Sequence, residues 1–218
     1  MIRFYEVNDT DMLEEIFRFR YDVVVEELGF FDPAMYEGHK ERDEWDEYAT
    51  HFVALDEECN IVATTRIIHH APIPYPTEKH MQIHEPIKQL LGLKRDRLCE
   101  ISRLFIAKKY RNMRDTKIII DGFIKRHVYF TMRRYNLEYA YSAIERRFKR
   151  LLKMYHVHFD TIGPEQTGYG SPRLPCLLYV HRLGADNPQL KEYYEGRAQW
   201  LEKLSCSAQL RHSSLKRI

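Results

Sequence analysis

Residues 2–7 alternate apolar and polar, the period of a half-buried strand. From 11 to 28 the period lengthens to that of a helix, with Leu13, Ile16, Phe17 and Phe19 beginning its apolar face. Asp11 and Glu14 fit a capping box at its start, and Gly29 ends it. An irregular acidic stretch covers 30–49. Residues 50–70 then carry two strand patterns around the Glu58-Cys59-Asn60 turn, a hairpin. The stretch APIPYPTEKH, with three prolines, predicts a loop, and 83–92 a short helix. A strand is predicted over 98–107, and a helix over 116–135 with Ile119, Phe123, His127 and Phe130 at three- to four-residue spacing. LEYAYSAI reads as a strand, ERRFKRLLKMY as a basic amphipathic helix, and HFDTIG and LPCLLYVHRL as strands joined by a Gly/Pro loop. A last helix is predicted over 187–205.

Strands and helices alternate, and an antiparallel hairpin precedes parallel crossovers, so the class is α/β with a mixed sheet. No repeat or Gly/Ser linker divides the 218 residues. One domain is therefore expected over 1–205, with a loose tail over 206–218. No apolar run approaches the roughly 20 residues that span a bilayer, and MIRFYEVND lacks the apolar core of a signal peptide. The four cysteines are scattered, which fits a reducing compartment, so a cytoplasmic protein is expected. The eleven histidines show no metal-ligand spacing such as H-E-x-x-H, so no metal is expected.

Net charge is only +2, but it is distributed unevenly. Residues 1–60 hold 18 acids and 5 bases, and 108–153 hold 14 bases and 4 acids. The basic half suits an anionic partner or is simply a solvated face. Nucleic acid is one such partner, but no recognition motif for it is present, and none is expected to bind.

The stretch LCEISRLFIAKK sets the chemical question. Glu100 and Arg103 interrupt an apolar strand, where a lone charge costs several kcal/mol unless paired or wetted. Arg66 likewise interrupts the second hairpin strand. Arg20 lies on the first helix with Phe30 just beyond it, and Asp43 and Asp46 flank Trp45. Each has an ordinary alternative: a helix arginine on the surface, a solvated loop acid, a strand arginine snorkelling from an edge.

Taken in order, Arg20…Phe30, Asp43-x2-Asp46, Arg66 and Glu100-x-Ser102-Arg103 resemble the N-acyl-homoserine lactone synthases. They are also similar to the long-chain N-acyl amino acid synthases and exosortase-associated acyltransferases. The resemblance covers roughly residues 5–180. It implies a GNAT-like mixed sheet flanked by helices and transfer of an acyl group from a thioester to an amine. Lactone synthases carry R-x3-F-x3-LGW, whereas Val24 stands here in place of the Phe and Phe30 in place of the Trp. Those departures favour the amino acid synthase branch over a lactone synthase using S-adenosylmethionine. A catalytically inert basic module for nucleic acid or an acidic protein is the alternative of another class.

The resemblance implies Glu100 as general base, with Asp46 or Asp43 second. A bulge after Arg103 would aim the backbone N–H groups of Leu104 and Phe105 at an oxyanion. Arg103 is expected to pair with Asp46, and Arg20 or Arg66 with Asp43, on the floor of an acceptor site that includes Phe30 and Ser102. Ser142 matches a small hydroxyl residue of the acyl pocket. The glycine-rich pyrophosphate loop of CoA-dependent relatives is replaced by YRNMRDTK. Acyl carrier protein is therefore the expected donor, with acyl-CoA as the alternative, and it is expected to dock on Arg111, Arg114, Lys117, Arg146, Arg147, Lys149 and Arg150. No resident cofactor is expected.

Overall fold

The computed structural model describes residues 1–167 and 170–195. Seven strands form one sheet: β1 (Arg3–Val7), β2 (Ala49–Leu55), β3 (Ile61–His69), β4 (Leu98–Ile106), β5 (Tyr139–Ile144), β6 (Phe159–Thr161) and β7 (Leu174–Tyr179). Their order is β1-β2-β3-β4-β5-β7-β6, antiparallel except for the parallel β4–β5 pair.

Period-2 alternation assigns the two faces. On β2, Phe52 and Ala54 join the larger core, and Val53 and Leu55 join a second one. A continuous helical rod covers the first face. It comprises α4 (Met113–Ile120), a π-helical stretch (Asp121–Val128) and α5 (Tyr129–Arg134). Helix α6 (Arg146–Met154) and α7 (Val180–Asp186) complete that layer. The opposite face carries α1 (Thr10–Tyr21), α2 (Pro76–His80) and α3 (Glu85–Gly92).

Several boundaries differ from the sequence pattern. Helix α1 is capped by Asp9, whose side chain accepts from the N–H groups of Asp11 and Met12, not by an Asp11–Glu14 box. The proline-rich stretch ends in α2, because Pro76 at its first position has the right φ and no N–H to lose. Strand β7 stops at Tyr179, and His181, Arg182 and Leu183 belong to α7. The predicted last helix is seen as α8 (Gln189–Glu195). Its continuation and the 206–218 tail lie outside the described residues. Among the described residues no helix is long and apolar enough to cross a membrane.

One feature of the sheet creates the site. Strands β4 and β5 pair only over Leu98–Glu100 against Tyr139–Tyr141. Beyond Glu100 they share no register, and a cavity of about 530 Å³ occupies the gap.

Candidate active site

Strand β4 is bulged where it leaves β5. Ser102 faces Arg66 and Phe105 faces Thr64, so three steps on β4 span two on β3, and Arg103 sits at φ 57°. A left-handed backbone at a residue with a Cβ costs roughly 1–2 kcal/mol. Thr64 and Thr65 brace the bulge, their hydroxyls donating to the carbonyls of Arg103 (3.3 Å) and Ser102 (3.2 Å). Regular pairing would place Arg103 opposite Ser102. The bulge instead brings both side chains to the same Arg66–Asp43 pair.

That pair is part of a buried cluster of three guanidiniums and three carboxylates. Arg66 donates to Asp43 (2.6 and 2.7 Å), to Asp46 (2.5 Å) and to the Ser102 hydroxyl (3.0 Å). Arg20 donates to Asp46 (2.8 Å) and to His51 Nδ1 (3.1 Å). His51 therefore carries its proton on Nε2, which donates to the Asp46 carbonyl (3.1 Å). Arg103 pairs with Glu41 (2.7 Å) and Asp43 (2.8 Å). The expected Arg103–Asp46 pair does not form, because the bulge turns Arg103 toward Glu41. Arg20 and Arg66 are both fully buried, so neither is a surface or snorkelling arginine.

The cluster fixes its own charge states. Burial opposes ionisation of Asp46, but the Arg20 and Arg66 charges outweigh it and hold the carboxyl well below the usual range. Asp43 is lowered against burial in the same way, chiefly by its Arg66 hydrogen bonds. Burial and the neighbouring Arg20 push His51 down to about 4, so it is neutral. Carboxylates held this firmly as anions are poor proton acceptors, and Asp46 and Asp43 do not line the cavity.

Glu100 is the opposite case. It is buried, it lines the cavity, and burial pushes its carboxyl up to about 7 despite hydrogen bonds from Thr77 that favour the anion. Thr77 N–H donates to Oε2 (2.9 Å) and its hydroxyl to Oε1 (3.0 Å).

From Glu100 the cavity follows the bulged edge past Ser102, Arg103, Leu104 and Phe105. Its far wall comes from β5 and α6, where Ser142, Ile144, Phe148, Leu151 and Leu152 line it. Val24 and Phe30 close it from the π-helical stretch Asp22–Glu27 and the turn beyond. Phe30 packs so closely on Gly170 that a Cβ there would lie 2.2 Å from its ring. The six expected substrate residues thus divide: Phe30, Ser102 and Ser142 line the cavity, and Arg20, Arg66 and Asp43 do not, being held in the ion cluster.

The expected basic docking face is partly neutralised. Arg111 pairs with Glu27, Lys117 with Asp121 and Arg146 with Glu165, while Lys149 donates to the Thr161 hydroxyl. Glu41, His51 and Thr77 were not singled out by the sequence. For Glu41 a signal exists: three arginines inside apolar elements demand three acids, and Asp43 and Asp46 supply two. Nothing local marks His51 or Thr77.

A family model described as an acetyltransferase (GNAT) domain matches residues 19–120. Solved structures share the architecture over most of the chain. TofI, determined in a ternary complex with an inhibitor and MTA, aligns with TM-score 0.64 and 18% identity, over 87% of this chain and 99% of its own. FeeM, an N-acyl amino acid synthase from uncultured soil microbes, aligns at 0.63 and 14%, over 88% and 98%. BjaI, a CoA-dependent acyl-homoserine lactone synthase seen with SAM and isopentyl-CoA, aligns at 0.60 and 15%, over 87% and 90%. A comparison with curated proteins finds no match. The chain has the GNAT fold, an acyltransferase fold, and its structural neighbours include synthases of acyl-homoserine lactones and of N-acyl amino acids.

Proposed function

We propose that this chain is an N-acyltransferase that moves a fatty acyl group from the thioester of acyl carrier protein to the α-amine of an amino acid. The observation that carries this reading is Glu100. Its carboxyl, raised to about 7, lines a cavity of about 530 Å³ whose β5 and α6 side supplies the apolar Ile144, Phe148, Leu151 and Leu152, a lining suited to an acyl chain. An α-ammonium ionises near 8, so a carboxylate near 7 takes its proton almost isoenergetically, whereas one near 4 would pay about four pH units. The amine nitrogen then attacks the thioester carbonyl. The oxyanion is met by the backbone N–H of Leu104, which strand alternation turns to the edge that β5 leaves open. Phe105 pairs with Thr64 on the β3 side and so does not supply the second donor expected from the sequence. The C–S bond breaks with its electron pair on sulfur, and the thiolate takes up the proton that the newly acylated nitrogen gives up, which leaves a neutral amide and a free thiol. The buried ion cluster behind the site holds the bulge in place. The reading covers one domain over 1–205 and places the chain in the cytoplasm with its carrier and acceptor.

Val24 and Phe30, where the lactone-synthase pattern has Phe and Trp, both line the cavity, so the departure falls on the wall of the site itself. This supports an amino acid rather than S-adenosylmethionine as acceptor. Lipid extracts of an expressing bacterial culture, resolved by mass spectrometry, are expected to contain N-acyl amino acids that are missing when Glu100→Gln is expressed. Acyl lactones in their place move the assignment to a lactone synthase. Neither product leaves the inert basic module.

For the donor, Arg114, Arg147 and Arg150 are exposed and have no acid partner among the described residues. Tyr155 at the end of α6 donates to the Met113 carbonyl at the start of α4 (3.2 Å), which ties the helix carrying Arg147 and Arg150 to the one carrying Arg114. Reversing all three to Glu is expected to lower kcat/KM about tenfold or more with acyl carrier protein, and to change it less than about twofold with acyl-CoA. An equal loss with both donors rules out carrier docking on this face.

A further inference from the structure

We propose that Thr77 is a positioning residue for the reaction, gripping the Glu100 carboxylate by both oxygens so that its remaining lone pairs are presented to the cavity. This rests on the reading of Glu100 as general base.

The grip is two-handed and local. Thr77 N–H reaches Oε2 at 2.9 Å and the Thr77 hydroxyl reaches Oε1 at 3.0 Å, and Thr77 is itself fully buried. The segment that carries it is locked to the same strand. Tyr75 donates its hydroxyl to the Leu98 carbonyl (2.7 Å), and its N–H is taken by Glu78 (2.8 Å). Pro76 then starts α2 with φ already suited to a helix, which delivers Thr77 at a fixed height over Glu100. Arg95 ties this turn down by pairing with Glu78 and stacking on the Tyr75 ring at 3.9 Å. Each Glu100 oxygen thus spends one acceptor site on Thr77 and keeps the other, and a base whose torsions are held this way meets its proton in one geometry.

The other groups around Glu100 act on it only at longer range. They are Arg66 from β3, which favours its anion, Glu78 from α2, which opposes it, the neutral phenols Tyr75 and, one strand over, Tyr141, and the neutral thiol of Cys99 beside it on β4. Thr77 is the one that touches it, so removing the hydroxyl removes a donor that favours the anion. Glu100 must then titrate at higher pH.

Infrared titration of the protein alone reads this without turnover. The band of a buried neutral carboxyl should fade with a midpoint near 7 in the wild type and be missing in Glu100→Gln. Thr77→Val, which keeps the shape and loses the hydroxyl, should move the midpoint up by about one pH unit. Thr77→Ser should restore it. In turnover at saturating acceptor, the acidic limb of kcat should move by the same amount in Thr77→Val, so that the rate falls about tenfold one unit below the wild-type limb and recovers at high pH. Thr77→Ala carries the same test if the Val variant does not fold. A carboxyl band that titrates at the wild-type midpoint in both overturns the proposal. Wild-type turnover in Glu100→Gln would instead overturn the base assignment, which the infrared midpoint does not touch.

Discussion

Glu100→Gln is expected to abolish measurable turnover, a loss of about a hundredfold or more, and at the same time to make the fold more stable at neutral pH. The two effects have one cause. An ordinary glutamate ionises near 4.5, and burial holds Glu100 at about 7. Between those values the unfolded chain gives up a proton that the folded chain keeps, so Glu100 reduces stability as pH rises from about 4.5 to 7. Above 7 the full penalty, roughly 3 kcal/mol, is in place, and below 4.5 it vanishes. Glutamine carries no charge and escapes the penalty. Its oxygen still accepts from Thr77 N–H, and the Thr77 hydroxyl turns to accept from its NH2 group. Urea midpoints of the two proteins should converge near pH 4 and separate, with the variant higher, above pH 7. A glutamine variant that is inactive and equally stable at every pH would mean that Glu100 ionises normally and is not tuned for proton transfer.

Arg66→Met is expected to cost about 3–5 kcal/mol, because it strips the shared cation from two carboxylates that remain buried. For a chain of this size that corresponds to a fall of roughly 10 °C in Tm. Arg66 binds both Asp43 and Asp46 and also fixes Ser102, so its loss also frees the bulge to slip. Arg66→Lys should recover little of it, since an ammonium cannot span Asp43 bidentately and reach Ser102 as well. The pH signature is opposite to that of Glu100. Asp43 and Asp46 ionise below the usual carboxylate value, so their contribution is complete above about pH 4 and is lost as the pH falls further. Calorimetry should show the acid-side loss of stability in the wild type and a blunted one in Arg66→Met. A Tm within 2 °C of the wild type would show that the cluster does not hold the fold together.

These two residues also show how far the sequence can be read. Glu100 and Arg66 announce themselves because a charge inside an apolar strand has a physical cost that something must offset, and that cost is local to the sequence. Arg103 announces itself equally, but its partner does not. Strand periodicity assigns it to the wrong face, since a single left-handed residue at 103 shifts every later side chain relative to β3. Thr77 sat in a stretch that three prolines mark as loop, and the same prolines, at the first position of a helical turn, build α2 instead.

Most of the element order, the hydrophobic faces and the presence of buried charges that require partners are legible in the chain alone. These follow from periodicity and from the cost of desolvating an ion, both properties of short segments. Only the tertiary structure decided which acid meets which arginine, that β4 and β5 part beyond Glu100, and that Thr77, 23 residues earlier in the chain, grips the carboxylate. Those outcomes depend on one bulge and one strand divergence. Each is a small local departure from regular geometry, and its consequences appear only when distant segments are packed together.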